Sequence, residues 1–223
     1  MSEFVYVKAG DKPVKYVAHR ADDDPGCMHD WQLAFVEKLA MEAPRKHFLE
    51  VGVWRGQTTR CLAQNGYAVA VDTFSGSEEI VEPGKFNDSI SQERLSWFLQ
   101  KADEEGVADR ITVLVGTSDN VLPFLRYSEF GLVLIDANHA TPFAYRDIKN
   151  TWPTIVPGGW LLLDDFSTAD VYPSREPSVR WAWERFAGEN GLGRLPLYTN
   201  DESHYDETLV TYGPKLVGIR KPA

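Results

Sequence analysis

Three carboxylates and one imidazole hold the most reactive chemistry of this sequence. They are Asp136 and His139 in the run Asp136-Ala-Asn-His139, and the pair Asp164-Asp165. Each group follows an apolar run, Gly131-Leu-Val-Leu-Ile135 or Trp160-Leu-Leu-Leu163, that reads as a buried strand. Three carboxylates from two strand ends can converge on one hard divalent cation, and oxygen-only ligation favours Mg²⁺ or Ca²⁺ over zinc. A cation would also relieve the mutual repulsion of the acids. His139, in the loop just past Asp136, carries an imidazole that titrates near neutral pH and is placed to act as a general base. A plainer arrangement accounts for the same residues: Asp164 capping the next loop, Asp165 facing solvent and Asp136 holding a cofactor.

The second constellation is a glycine turn, Glu50-Val-Gly52-Val-Trp-Arg-Gly56. It follows the apolar run His47-Phe-Leu and precedes the helix-like Gln57-Thr-Thr-Arg-Cys-Leu-Ala-Gln64. Strand, glycine turn and helix together make a nucleotide-cofactor site, because glycine lets backbone approach a ligand and a helix N-terminus offers unpaired N–H groups. Asp72 closes the next strand, Tyr67-Ala-Val-Ala-Val71, where an acid can accept hydrogen bonds from both ribose hydroxyls. Thr117 and Ser118 follow a third apolar run, Arg110-Ile-Thr-Val-Leu-Val115.

These groups need a scaffold, and the hydrophobic periodicity supplies one. A helix is expected from Asp30 to about Met41, with Trp31, Phe35 and Leu39 on one face. Leu95, Phe98, Leu99 and Ala102 mark a helix over about 91–104, and another is expected near 121–126. Thr141-Pro142 opens a helix carrying Ala144, Ile148 and Trp152. Val179, Ala182, Trp183 and Phe186 form one more apolar face, with Trp181 off it. Two further strands are expected near 194–198 and 216–220. Continuous apolar strands alternating with amphipathic helices argue a parallel sheet covered on both faces, whose ligands bind beyond the carboxyl ends of the strands. All five leading strands end in polar groups there, and their coincidence argues one composite site.

The chain has 223 residues, 43% hydrophobic and 25% charged, with net charge −10. That is enough for one α/β domain, expected over residues 30–223 behind an irregular segment 1–29. The acidic balance and the absence of a basic run oppose a nucleic-acid or anionic-membrane partner. No apolar stretch is long enough to span a bilayer, and the start Met1-Ser-Glu-Phe-Val5 is not a signal peptide, so a cytoplasmic location is expected. Two cysteines, Cys27 and Cys61, make no disulfide framework, and Cys61 reads as a core residue.

Over residues 30–222 the chain resembles the class I S-adenosylmethionine-dependent methyltransferases. Within them it is most similar to metal-dependent O-methyltransferases of the macrocin-O-methyltransferase-like group, which act on sugars of natural products. The resemblance is carried by Leu49 to Gly56 with Thr58, by Val71-Asp-Thr-Phe-Ser-Gly76, by Gly116-Thr-Ser118 and by Ile135-Asp-Ala-Asn-His139. Trp152 through Pro157-Gly-Gly159 to Asp165, and Leu216-Val-Gly-Ile-Arg-Lys221, complete it. It implies a Rossmann-like fold with a mostly parallel seven-stranded sheet and helices on both faces. It also implies that Glu50, Gly52, Val53 and Gly56 line the methionine part of the cofactor, with Thr58 at its carboxylate. Asp72 and Thr73 then hold the ribose, and Thr117 and Ser118 meet adenine. Asp136, Asp164 and Asp165 would ligate Mg²⁺ or a similar cation, and His139 with Asp136 would be catalytic. The chain departs from many relatives in having Ala137-Asn138 where they have glycine and an acid.

The reaction this implies is methylation of a small-molecule hydroxyl, as in natural-product biosynthesis. A nicotinamide-dependent dehydrogenase would explain the glycine turn and Asp72 but not the three acids, and the turn lacks G-x-G-x-x-G spacing. Cephalosporin-hydroxylase-like chemistry would use the same three acids, and a non-catalytic binding protein would keep the cofactor pocket alone. The stretches 75–88, 167–180 and 200–208 are long enough to cover the site. Residues 1–29 could pack on a neighbouring copy, which would make a homo-oligomer.

Overall fold

Burial of apolar runs on both faces of one sheet organises the chain. A computed structural model describes residues 28, 30–75, 88–125, 129–166, 179–193, 197–199 and 216–222. The elements are α1 (Asp30–Glu42), β1 (His47–Val51), α2 (Gln57–Asn65), β2 (Tyr67–Asp72), α3 (Asp88–Glu104) and β3 (Ile111–Val115). They continue with α4 (Ser118–Val121), β4 (Phe130–Ile135), α5 (Thr141–Thr151), β5 (Ile155–Leu163), α6 (Val179–Glu189), β6 (Leu197–Thr199) and β7 (Val217–Arg220). The sheet order is β3-β2-β1-β4-β5-β7-β6. β1 to β5 pair in parallel, while β7 runs antiparallel to β5 and to β6.

Side chains alternate across this sheet with the period of two that strand geometry imposes. Phe48, Leu132, Leu134, Trp160 and Leu162 face a core with Leu33, Phe35, Val36 and Leu39 of α1 and Leu62 of α2. Leu49, Val51, Val71, Val133, Ile135, Leu161 and Leu163 face the opposite core, with Ala144 and Ile148 of α5 and Val179, Trp183 and Phe186 of α6. Trp152, Trp183 and Phe186 pack as an aromatic trio with ring centroids 5.6 to 6.0 Å apart. Helices therefore cover both faces, and Cys61 is fully buried as a core residue.

The strand order reverses between β1 and β4, the kind of position where an open parallel sheet leaves a crevice for a ligand. Hydrogen bonds continue the ladder past the strand ends and keep the polar residues there in line. Gly52 N–H donates to Val71 O (2.9 Å), Gly116 N–H to Asp72 O (2.9 Å), Asp136 N–H to Val51 O (2.8 Å) and Asp164 N–H to Ile135 O (3.1 Å).

Several boundaries differ from the sequence reading. The helix expected near 121–126 begins earlier, as α4, and tightens into a 3₁₀ turn over Leu122–Phe124, with Pro123 inside it. β5 starts at Ile155, ahead of the Pro157-Gly158-Gly159 stretch read as connection. Its pairing with β4 shifts register between Ile155, opposite Phe130, and Trp160, opposite Leu132, and an irregularity is where a strand tolerates proline and glycine. Trp181 is 57% exposed on α6 and lines no part of the cavity described below. The covering segments lie largely outside the described residues, as does nearly all of 1–29.

Candidate active site

β1 ends in a turn whose glycines answer to chain packing. Gly52 has φ +86°, and a Cβ there would stand 2.1 Å from the Asp136 carbonyl oxygen. The ends of β1 and β4 thus touch backbone to backbone, at the point where the sheet order reverses. Gly56 (φ +73°) precedes α2, and a Cβ on it would meet the Phe98 ring at 2.1 Å.

Asp72 ties this turn together. Its Oδ2 accepts the N–H groups of Val53 (2.6 Å) and Trp54 (2.9 Å), and its Oδ1 accepts that of Phe74 (2.6 Å). Trp54 (φ 53°) and Phe74 (φ 55°) are both left-handed, a conformation costly for non-glycine residues. One carboxylate therefore stabilises two strained residues. Phe74 is buried and stacks on Phe98 with centroids 6.1 Å apart.

A cavity of about 420 Å³ opens over the ends of β1 to β4. Of the residues expected at a cofactor, Gly52, Asp72, Thr73, Thr117, Ser118 and Asp136 line it. Glu50, Val53, Gly56 and Thr58 do not. Val53 joins the small core of Phe74 and Phe98. Glu50 is buried and accepts a hydrogen bond from the Thr59 hydroxyl. Burial pushes its carboxyl well above the usual range against that bond, and the charges of Asp136 and Asp72 add to the rise.

The wall also holds residues the sequence reading passed over, notably Trp54, Arg94, Phe143 and Asp147. The Arg94 guanidinium lies 3.9 Å from the Trp54 ring centroid. A signal for Asp147 was in the sequence, because an acid three residues after Ala144 and one before Ile148 falls on the apolar face of α5.

The reactive cluster adjoins the cavity through Asp136, which belongs to both. His139 bridges two acids: Nε2 lies 3.2 Å from Asp136 Oδ1, and Nδ1 lies 3.3 Å from Asp165 Oδ2. Asp164 is buried, and Gln32 Nε2 of α1 donates to its Oδ1 at 3.3 Å. Asp165 is left-handed (φ 50°). Burial alone would pull the imidazole pKa down, but the Asp136 hydrogen bond and the charges of Asp165, Asp136 and Asp164 outweigh it and raise it to about 9. At neutral pH both ring nitrogens therefore carry protons, Nε2 donating to Asp136 while the Nδ1 side pairs with the Asp165 charge.

The expected cation site was Asp136, Asp164 and Asp165. The chemistry of these donors suits a hard cation, but their arrangement does not. His139 stands among them, and among the described residues no group of three such side chains is disposed to hold an ion. The imidazolium supplies the compensating charge that a cation would otherwise bring. As arranged, a cation would enter this set only by displacing the proton of the imidazolium that stands among the three carboxylates.

Residues 49–166, more than half the chain, match the family model described as a methyltransferase domain. The chain belongs to the methyltransferase-domain family. No curated protein matches this methyltransferase-domain chain in sequence. Among solved structures it is similar to the O-methyltransferase TomG of Streptomyces achromogenes, involved in tomaymycin synthesis and solved with S-adenosylmethionine. Identity is 19%, coverage 91% of this chain and 86% of that one, and TM-score 0.63. An O-methyltransferase of Bacillus cereus bound to S-adenosylhomocysteine is 15% identical, with coverage 90% and 86% and TM-score 0.62. The methyltransferase PaMTH1 of Podospora anserina, also bound to S-adenosylhomocysteine, is 16% identical, with coverage 88% and 80% and TM-score 0.59. At these identities the likeness is one of fold. Among the described residues of this methyltransferase-domain chain, no helix is long and apolar enough to cross a membrane.

Proposed function

We propose that this chain is an S-adenosylmethionine-dependent O-methyltransferase acting on a hydroxyl of a small molecule, such as a sugar or other natural product. The observation that carries the reading is that Asp136 belongs both to the cavity and to the His139 cluster. A cofactor seated in the cavity then presents its methyl beside groups able to orient and deprotonate a hydroxyl. The family match supports methyl transfer, and the ligands of the fold relatives support the cofactor.

When bound, the cofactor supplies an electrophilic methyl on a sulfonium. The protein's part is alignment and proton management. The Gly52–Asp136 contact brings the floor of the cavity to the cluster. Asp136 and Asp165 hold His139 between them, and His139 in its neutral form would take the acceptor's hydroxyl proton. Calorimetry should show saturable binding of S-adenosylhomocysteine and none of NAD. Labelled methyl should pass from S-adenosylmethionine to a hydroxyl in a panel of sugars and aglycones. Folded protein that binds no S-adenosylhomocysteine would overturn the proposal.

A divalent cation is a second reading, favoured by three carboxylates facing one imidazolium. Asp136, Asp164 and Asp165 would hold it, and it would have to displace the proton of His139. Below pH 9 that displacement releases a proton, so Mg²⁺ affinity should rise as the pH rises and level off near the imidazole pKa of about 9. His139→Ala should flatten that dependence. Mg²⁺ binding that is independent of pH in the wild type would show that the cation sits elsewhere.

A further inference from the structure

One acid in the cavity wall has no task in the chemistry above. Asp147 of α5 is 1% exposed and lines the cavity, yet its Oδ1 has no hydrogen-bond partner. The Ser118 hydroxyl bonds to the same carboxylate. A buried acceptor without a donor is costly to keep, so a ligand that brings an N–H gains by filling it. Burial raises the Asp147 pKa to about 6, with the Asp119 charge adding to the rise and Ser118 and Arg146 opposing it. Phe143, four residues earlier on the same face of α5, lines the same cavity and is 43% exposed as a residue.

The position along the cavity selects the donor. The methyl must be delivered beside Asp136, at the end of β4. Ser118 follows β3, three places away in the sheet order, roughly 14 Å at the usual strand spacing. S-adenosylmethionine carries two kinds of N–H donor, the ammonium of its methionine part and the 6-amino group of adenine. The ammonium lies close to the sulfonium and so near Asp136. The amine is at the far end of the molecule, and a flat purine suits the Phe143 ring.

We propose that Asp147, oriented by Ser118, accepts the 6-amino group of the cofactor's adenine while Phe143 packs on the purine, making Asp147 the residue that selects adenine over a 6-oxo purine. The inference rests on the cofactor proposed above. The test is calorimetry with S-adenosylhomocysteine and its 6-oxo analogue S-inosylhomocysteine, on wild type and Asp147→Asn. Wild type should prefer the amine by about 10–100-fold, the worth of one charge-assisted hydrogen bond. Asp147→Asn should shrink that preference to a few-fold, chiefly by weakening S-adenosylhomocysteine. Wild type that binds neither compound defeats the cofactor reading itself. Wild type that binds S-adenosylhomocysteine while the variant keeps the full preference, or loses both ligands equally, defeats the role of Asp147 alone. Should the variant not fold, the wild-type complex still decides. The bound 6-amino protons should resonate downfield with a nuclear Overhauser contact to the Asp147 β-protons, and their absence overturns the proposal.

Discussion

Gly52→Ala should destabilise the protein by about 3–5 kcal/mol, combining a left-handed backbone with forced overpacking. The added methyl would stand 2.1 Å from the Asp136 carbonyl oxygen and 2.7 Å from the Ala137 Cα. Both are backbone atoms, held by the bond from Asp136 N–H to Val51 O, so neither can turn aside as a side chain would. Relief requires β1 and β4 to part where the cavity meets the cluster. Gly56→Ala should cost less, because the atom it meets is the edge of the Phe98 ring, which can tilt. Denaturant unfolding of the two variants measures the difference. A loss under about 1 kcal/mol for Gly52→Ala would mean that the two strand ends are not in contact.

That contact explains why the glycine turn was legible in sequence while its reason was not. Gly52 and Gly56 were read as openings for a ligand. In the folded chain they are openings for Asp136 and Phe98, residues far away in sequence. Both readings predict glycine at the same positions, and only three-dimensional packing separates them. Asp72 is similar. An acid at the end of β2 was visible, but three of its acceptor positions are taken by Val53, Trp54 and Phe74, leaving about one of the roughly four a carboxylate offers. It lines the cavity and also braces the turn.

The sheet was legible because its strands are apolar runs buried on both faces, a pattern that survives without knowledge of partners. The boundaries of β5 and α4 were not, since proline and glycine can sit inside an irregular strand or a 3₁₀ turn as well as between elements. Asp147 escaped notice because the helix was read for its apolar residues, while the acid among them was the informative one. The cation expectation came from counting carboxylates at strand ends. Counting charge of both signs, with His139 three residues from Asp136, would have offered a compensating cation from within the chain.

His139→Ala should lower kcat by about 10²–10⁴-fold at pH 9, the usual worth of a general base, and leave S-adenosylhomocysteine affinity within about twofold. Affinity should hold because His139 is absent from the cavity wall. The pH dependence separates a base from a mere counter-charge. The folded pKa of about 9 lies above the ordinary imidazole value of 6.5. The charged form is therefore complete below pH 6.5 and disappears as the pH rises through 9. Its contribution to stability follows the same window, present on the acid side and lost across 9. A base works only when neutral. At pH 7 only about 1% of the imidazole is in that form, and wild-type kcat should climb nearly tenfold per pH unit until it levels near 9. The ratio of wild-type to variant kcat should then grow with pH. If His139 serves only as the positive charge among three carboxylates, the ratio should instead be largest below pH 7 and fall through 9. Once neutral, an imidazole of raised pKa is a stronger base and shares more of the hydroxyl proton in the transition state. Steady-state rates from pH 6 to pH 10 for both proteins decide it, and a ratio that falls with pH would remove His139 from the proton transfer.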